Sequence, residues 1–144
     1  FPQTLRELGY IEGHNIVIEY RSAEGKSARQ PELARELVKM NVDVLVSGGG
    51  NDVTRSLMQA TKTIPIVMTA GSDAVARGLI SSLARPGGNV TGLTSLWDDL
   101  TGKRLELLKD AIPKLTRVAV LWHSSGGRRP QWKTSQPAAQ QLNL

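Results

Sequence analysis

The chain has 144 residues, 40% of them hydrophobic and 22% charged, a profile that excludes a disordered polymer and fits a globular unit able to bury about two-thirds of its unfolded surface. No apolar run approaches the roughly 20 residues of a membrane-spanning helix, and the lack of cysteine excludes disulfides and thiolate metal sites within the segment. The net charge of +5 is dispersed, with one tight basic cluster at Arg128, Arg129 and Lys133, so the one-faced basic stripe of a nucleic-acid binder is missing.

In chain order, Phe1 opens on what reads as the first turns of a helix. The turn signal Glu12-Gly13-His14-Asn15 then introduces a strand at Ile16-Val17-Ile18. Pro31 suits the first turn of a helix, with Leu33, Leu37 and Val38 as its apolar stripe. Val42 to Val46 reads as a strand that stops abruptly at Ser47-Gly48-Gly49-Gly50. Asp52 is placed to cap the next helix, whose inward face would be Val53, Leu57 and Ala60. A further strand, Ile64 to Met68, ends in Thr69-Ala70-Gly71-Ser72. Val75, Leu79, Ile80 and Leu83 predict a helix that stops at Pro86-Gly87-Gly88. The weaker run Asn89 to Thr94 reads as an edge or connecting strand. Asp98 or Asp99 begins a helix that buries Leu105, Leu108 and Ile112 and ends at Pro113. Val118 to Trp122 is the last predicted strand, followed by His123-Ser124-Ser125-Gly126. Pro137 is expected to interrupt any helix between Lys133 and Leu142.

Apolar, β-branched runs separated by amphipathic stretches at the roughly 30-residue βαβ spacing predict an α/β fold. The sheet would be Rossmann-like and parallel, with helices on both faces. A boundary between Leu96 and Thr101 divides the chain into residues 1–97 and 98–144.

Ligands of an open parallel sheet bind beyond the carboxyl ends of its strands. That rule selects three turns: Gly49, Gly50, Asn51 and Asp52 after one strand, Ser72 and Asp73 after another, and Trp122 and His123 after the last. The first runs into a helix N-terminus, where backbone N–H groups and the dipole favour a carboxylate or phosphate. It lacks the Gly-Lys-Ser/Thr ending of a P-loop and the GxGxxG spacing of a dinucleotide site. The two histidines, His14 and His123, have no acidic partner at a metal or triad spacing. No Gly-x-Ser-x-Gly elbow is present. Binding without catalysis is the reading these residues support.

Several ordered stretches together resemble one family. Leu8-Gly9-Tyr10-Ile11-Glu12-Gly13-His14-Asn15-Ile16 is similar to the family opening LGYxEGxNI. Ile64 to Met68, Ser72 to Val75 and Gly78 to Ile80 resemble its IPIVxxxxxDPVxxGLV segment, and Ala84 to Gly92 reads ARPGGNVTG throughout. Gly102 to Lys109 and Arg117 to Trp122 also fit. The family is that of the ABC transporter substrate-binding proteins, of the periplasmic binding protein type 1-like kind that includes tryptophan/phenylalanine-type receptors. The sequence departs from it where Gly50-Asn51-Asp52 replaces a Thr-Pro-Ala type of loop, where Ala74 replaces a proline, and where His123 replaces an asparagine.

The resemblance implies two Rossmann-like lobes closing on a small polar solute such as an amino acid, without cofactor, metal or turnover. Residues 1–97 would be the first lobe and 98–144 the start of the second, the chain being cut at both ends and lacking the first strand upstream of Phe1. Gly49 to Asp52, Ser72, Asp73 and Thr94 would contact the solute from the first lobe, Trp122 and His123 from the second. An ABC permease would be the membrane partner, and the full-length parent would be periplasmic or extracellular, with a lipid anchor as an option. Unpaired sheet edges imply a homodimer or strand-swapped assembly, or a rearranged sheet. The competing reading is a ligand-sensing regulatory module of the same fold, which a helix-turn-helix ahead of Phe1 would favour over an export signal.

Overall fold

Three short runs rich in Val, Ile and Leu find one another as a parallel sheet in the computed structural model, which describes residues 1–96, 100–120 and 131–144, with 131–134 described by backbone alone. β1 (Leu45–Ser47), β2 (Ile66–Ser72) and β3 (Val90–Ser95) lie side by side in that order, each parallel to its neighbour. Leu45 stands opposite Ile66, and Ile66 opposite Val90, so the three side chains share one row and one face. All three are buried, Ile66 at 0% exposure. At about 1.5–3 kcal/mol for each such side chain, this row is what holds a strand as short as β1 in place. Burial alternates along β1 although its sequence does not: Val46, pointing to the opposite face, is 43% exposed.

The helices add the second layer. α1 (Pro2–Glu7) is short, buries nothing and opens with proline in its first turn. A 3-10 turn at Ser27–Arg29 leads into α2 (Gln30–Lys39), again with proline in the first turn as the sequence predicts. Asn41, with φ of 52°, follows α2 in the left-handed conformation that ends many helices. Leu33 and Ala34 are buried and Leu37 and Val38 partly so, and this stripe packs against α3 (Asn51–Ala60). α3 in turn covers the row on the sheet through Leu57, Val53 and Met58. Its N-cap is Gly50, whereas Asp52 lies exposed in the first turn. The expected Asp52 cap is thus replaced by a backbone turn, and the carboxylate meets the helix dipole instead.

α4 (Leu100–Ala111) stops before Pro113 as expected. It buries Leu105 but leaves Leu108 and Ile112 exposed, correcting the wider stripe read from the sequence. Asp98 and Asp99 lie outside the described residues. α5 (Gln131–Gln141) runs through Pro137 rather than breaking there. It packs on α4, where Gly102 lets the two backbones approach: a Cβ at Gly102 would lie 3.5 Å from that of Ala138. Tertiary packing outweighs the single backbone bond that proline removes.

Three further expectations are corrected. Ile16-Val17-Ile18 forms no ladder; one isolated bridge joins Glu12 and Ile16, and Val17 is 78% exposed. Among the described residues no strand pairs with it, and a strand's N–H and C=O groups stabilise it only when paired. Asn15 instead closes the preceding turn, donating to the Gly9 carbonyl and accepting from the Ile11 N–H. Arg117 to Val120 likewise joins no strand, and its valines are exposed; Leu121 and Trp122 lie outside the described residues. Val75 to Leu83 is not a helix. After the Asp73 carbonyl accepts the Arg77 N–H, Gly78 turns to φ of 66° and Leu79 bonds back to Ala74, closing a single compact turn. Ala74 and Leu79 are buried by it, but Leu83 is 58% exposed.

Candidate functional site

Because all three strands run the same way, their carboxyl ends share one edge of the sheet. That edge carries Ser47 to Gly50 after β1, Gly71 to Asp73 at the end of β2, and Thr94 and Ser95 at the end of β3. β2 and β3 stay paired to the rim, with Gly71 opposite Thr94 and Ser72 opposite Ser95 after a register shift between Met68 and Gly71. The turns predicted from the first two strands therefore do meet. Trp122 and His123 lie outside the described residues.

The turn after β1 rests on a buried polar pair. Ser47 and Thr54, both 0% exposed, share a hydroxyl–hydroxyl hydrogen bond of 2.7 Å. The Thr54 hydroxyl also reaches the Gly50 carbonyl at 3.2 Å, and the Thr69 hydroxyl donates to the Ser47 carbonyl at 3.0 Å. These bonds satisfy polar groups whose burial would otherwise cost about 1–3 kcal/mol each. Above them Gly50 adopts φ of 80° and ψ of −165°, a region essentially open to glycine alone. This conformation swings the chain out of the strand and into α3, so that Asn51 begins the helix beside β2.

Asn51 joins the two turns. Its Nδ2 donates to the Ser72 carbonyl at 2.7 Å, and its Oδ1 accepts the Ser72 N–H at 3.0 Å. Across β2 the third turn is bound in the same way. The Asp73 N–H donates to the Ser95 carbonyl (2.8 Å), the Ala74 N–H to the Thr94 hydroxyl (3.2 Å), and the Ser95 hydroxyl to the Gly71 carbonyl (3.2 Å). Asp73 is 7% exposed and sits at φ of 48°, a left-handed position that asparagine and aspartate tolerate best.

Among the predicted contacts, Asn51, Ser72, Asp73 and Thr94 thus belong to one connected rim, with Gly50 as its hinge. Gly49 is exposed, and Asp52 is exposed in α3's first turn, its carbonyl accepting the Ser56 hydroxyl. Ser47, Thr54, Thr69 and Ser95 were not singled out by sequence reasoning. The available signal was the hydroxyl residue at the end of each otherwise apolar run, a poor place for one unless it is hydrogen-bonded. The first N–H groups of α3 lack intrahelical acceptors by helix geometry and carry the positive end of the dipole. The rim therefore sets the positive end of the α3 dipole beside backbone carbonyl oxygens at the ends of β2 and β3.

An open cavity of about 390 Å³ adjoins the rim at Gly48 and Gly49. It runs between residues 21–27, α2, α3 and the outer edge of β1, over an apolar floor that includes Leu33, Leu37 and Val46. It does not reach Ser72, Asp73 or Thr94, so the cavity and the polar rim are neighbours and not one pocket. Among the described residues no group of three or more His, Asp or Glu could hold a metal ion. On α4 the Lys103 pKa is raised by its hydrogen bond to Glu106, with the carboxylate's charge acting in the same direction.

A parallel sheet with glycine-bearing turns gathered at its carboxyl edge defines a Rossmann-like α/β domain. The chain belongs to the ABC transporter substrate binding protein family, whose model matches residues 1–144. A curated relative, the tyrosine-binding protein of Clostridioides difficile (strain R20291), is 34% identical over 125 residues, covering 87% of this chain and 35% of its own length. A conserved domain protein of Vibrio cholerae O1 biovar eltor superposes with a TM-score of 0.80 at 32% identity, over 99% of this chain and 48% of that one. The L-Trp complex of an ABC domain from Streptococcus pneumonia gives 0.76 at 27% identity, over 99% and 47%. The chain thus spans about a third of the curated relative and about half of the two solved structures. The family is one of substrate-binding proteins, which are not enzymes, and the curated relative is named as a tyrosine-binding protein.

Proposed function

We propose that this chain is the first lobe, with the start of the second, of a receptor that binds a small zwitterionic solute and delivers it to an ABC permease in the membrane. The solute class is amino acids, with tyrosine and tryptophan foremost, because one relative is a tyrosine-binding protein and another is held in complex with L-Trp. The carrying observation is the convergence of Gly50, Asn51, Ser72, Asp73 and Thr94 on one hydrogen-bonded rim. The α3 N-terminus supplies partial positive charge for a carboxylate, and the Asp73 side of the rim supplies oxygens for an ammonium. Residues 98–144, including Trp122 and His123, belong in this reading to the facing lobe, and the parent protein works outside the cytoplasmic membrane.

The test is calorimetric titration of the chain with L-tyrosine and L-tryptophan, alongside a sugar and a nucleotide. Saturable binding of an amino acid, with no chemical change in it by mass spectrometry, is the expected result. Binding of the nucleotide or sugar in place of every amino acid would overturn the reading.

A further inference from the structure

We infer that Asn51 is the positioning residue of the amino-acid site proposed above, on which reading this inference rests: its amide sets the spacing between the ligand-bearing turns and is not itself spent on the ligand. β1 runs out at Ser47, opposite Met68, whereas β2 continues to Ser72. From Thr69 onward the β1-facing side of β2 has no strand to pair with. A residue's own N–H and C=O point to the same side of its strand. At Ser72 that side faces α3, since Asp73 and Gly71 bond towards β3. The Asn51 amide fills the place of the missing strand, donating from Nδ2 to the Ser72 carbonyl and accepting the Ser72 N–H at Oδ1. The remaining Nδ2 proton has the Ser72 hydroxyl at 3.4 Å.

Two neighbours are shaped for this contact. Gly50 takes the glycine-only backbone conformation that delivers Asn51 to β2. Gly71 leaves room for the amide, since a Cβ there would stand 3.3 Å from Oδ1 and overlap the Met68 sulfur. Only asparagine and glutamine carry a donor and an acceptor in one planar carboxamide, and glutamine's stands one methylene further from the backbone. Aspartate keeps the acceptor but sets a carboxylate oxygen against the Ser72 carbonyl, and alanine removes both bonds.

The experiment compares the wild-type chain with N51A and N51D by amide hydrogen exchange in the absence of ligand, by calorimetric affinity for L-tyrosine and L-tryptophan, and by thermal midpoint. In N51A the Ser72 amide is expected to exchange about tenfold faster or more, while Ile66 in the core keeps its protection. Affinity is expected to fall about tenfold or more in both variants, because a lost hydrogen bond at this part-buried tie is of that order. N51D is expected to retain Ser72 N–H protection and still lose affinity, which separates the carbonyl bond from simple unfolding. Unchanged affinity in folded variants would overturn the inference. So would lost affinity with unchanged Ser72 exchange in N51A, which would make Asn51 a direct ligand contact. A wild-type chain that binds neither amino acid would sink the functional reading itself, and the Ser72 exchange would then decide only whether the tie exists.

Discussion

At Gly50 a single residue carries two demands, leaving the strand and starting a helix, and meets both with φ of 80° and ψ of −165°. Gly50→Ala is expected to cost about 1–3 kcal/mol from backbone strain alone, measured as a lowered urea midpoint with unchanged slope. Beneath it, Thr54→Val keeps the shape of the side chain and removes the hydroxyl that pairs with Ser47 and reaches the Gly50 carbonyl. A loss of about 1–3 kcal/mol is expected, because the partners stay buried with a bond missing. The same measurement checks it, and a double variant Ser47→Ala/Thr54→Val should cost less than the two single changes added together, since both partners of one bond are then gone.

Elements were legible wherever local pattern and tertiary partner agreed. Val42 to Val46 and Ile64 to Met68 announced themselves by β-branched runs ending in glycine-bearing turns, and the strands form at Leu45–Ser47 and Ile66–Ser72. The edge role read for Asn89 to Thr94 is the place β3 takes in the sheet. α2 and α3 followed from Pro31 and from the Leu33, Leu37 and Leu57 spacing. The pattern misled where a partner or a backbone choice decided the outcome. Ile16 to Ile18 and Val118 to Val120 have strand composition and no described neighbour to pair with. Val75 to Leu83 has helical spacing, yet Gly78 takes a left-handed conformation that a helix cannot contain. At the rim, the sequence pointed to the turns but not to the bonds between them. That Asn51 would face Ser72, 21 positions away, depends on strand register, which no local pattern encodes. The buried row is the element-scale test: Ile66→Ala should destabilise the sheet by about 2–5 kcal/mol, seen as an early loss of cooperative unfolding by circular dichroism.

Taken as a molecule, the chain exposes apolar strand residues where a sheet would ordinarily continue. Val46 on β1 and Val44 just before it are exposed, the outer side of β1 carries no described strand, and the apolar-floored cavity lies along it. Such an edge is a template for another chain. We therefore expect self-association that rises with concentration, measured by light scattering, and expect Val46→Lys to reduce it without loss of circular-dichroism signal. The central claim is that turns from three parallel strands form one rim that receives an amino acid. The most direct measurement is a two-dimensional ¹H–¹⁵N NMR titration of the chain with L-tyrosine and L-tryptophan. The account predicts saturable shifts gathered at Gly48 to Asn51, Ser72 to Ala74 and Thr94 to Ser95, with Pro-flanked α1 and the α4–α5 pair largely undisturbed. Shifts confined to the α2 side of the cavity, with the ends of β2 and β3 silent, would contradict it.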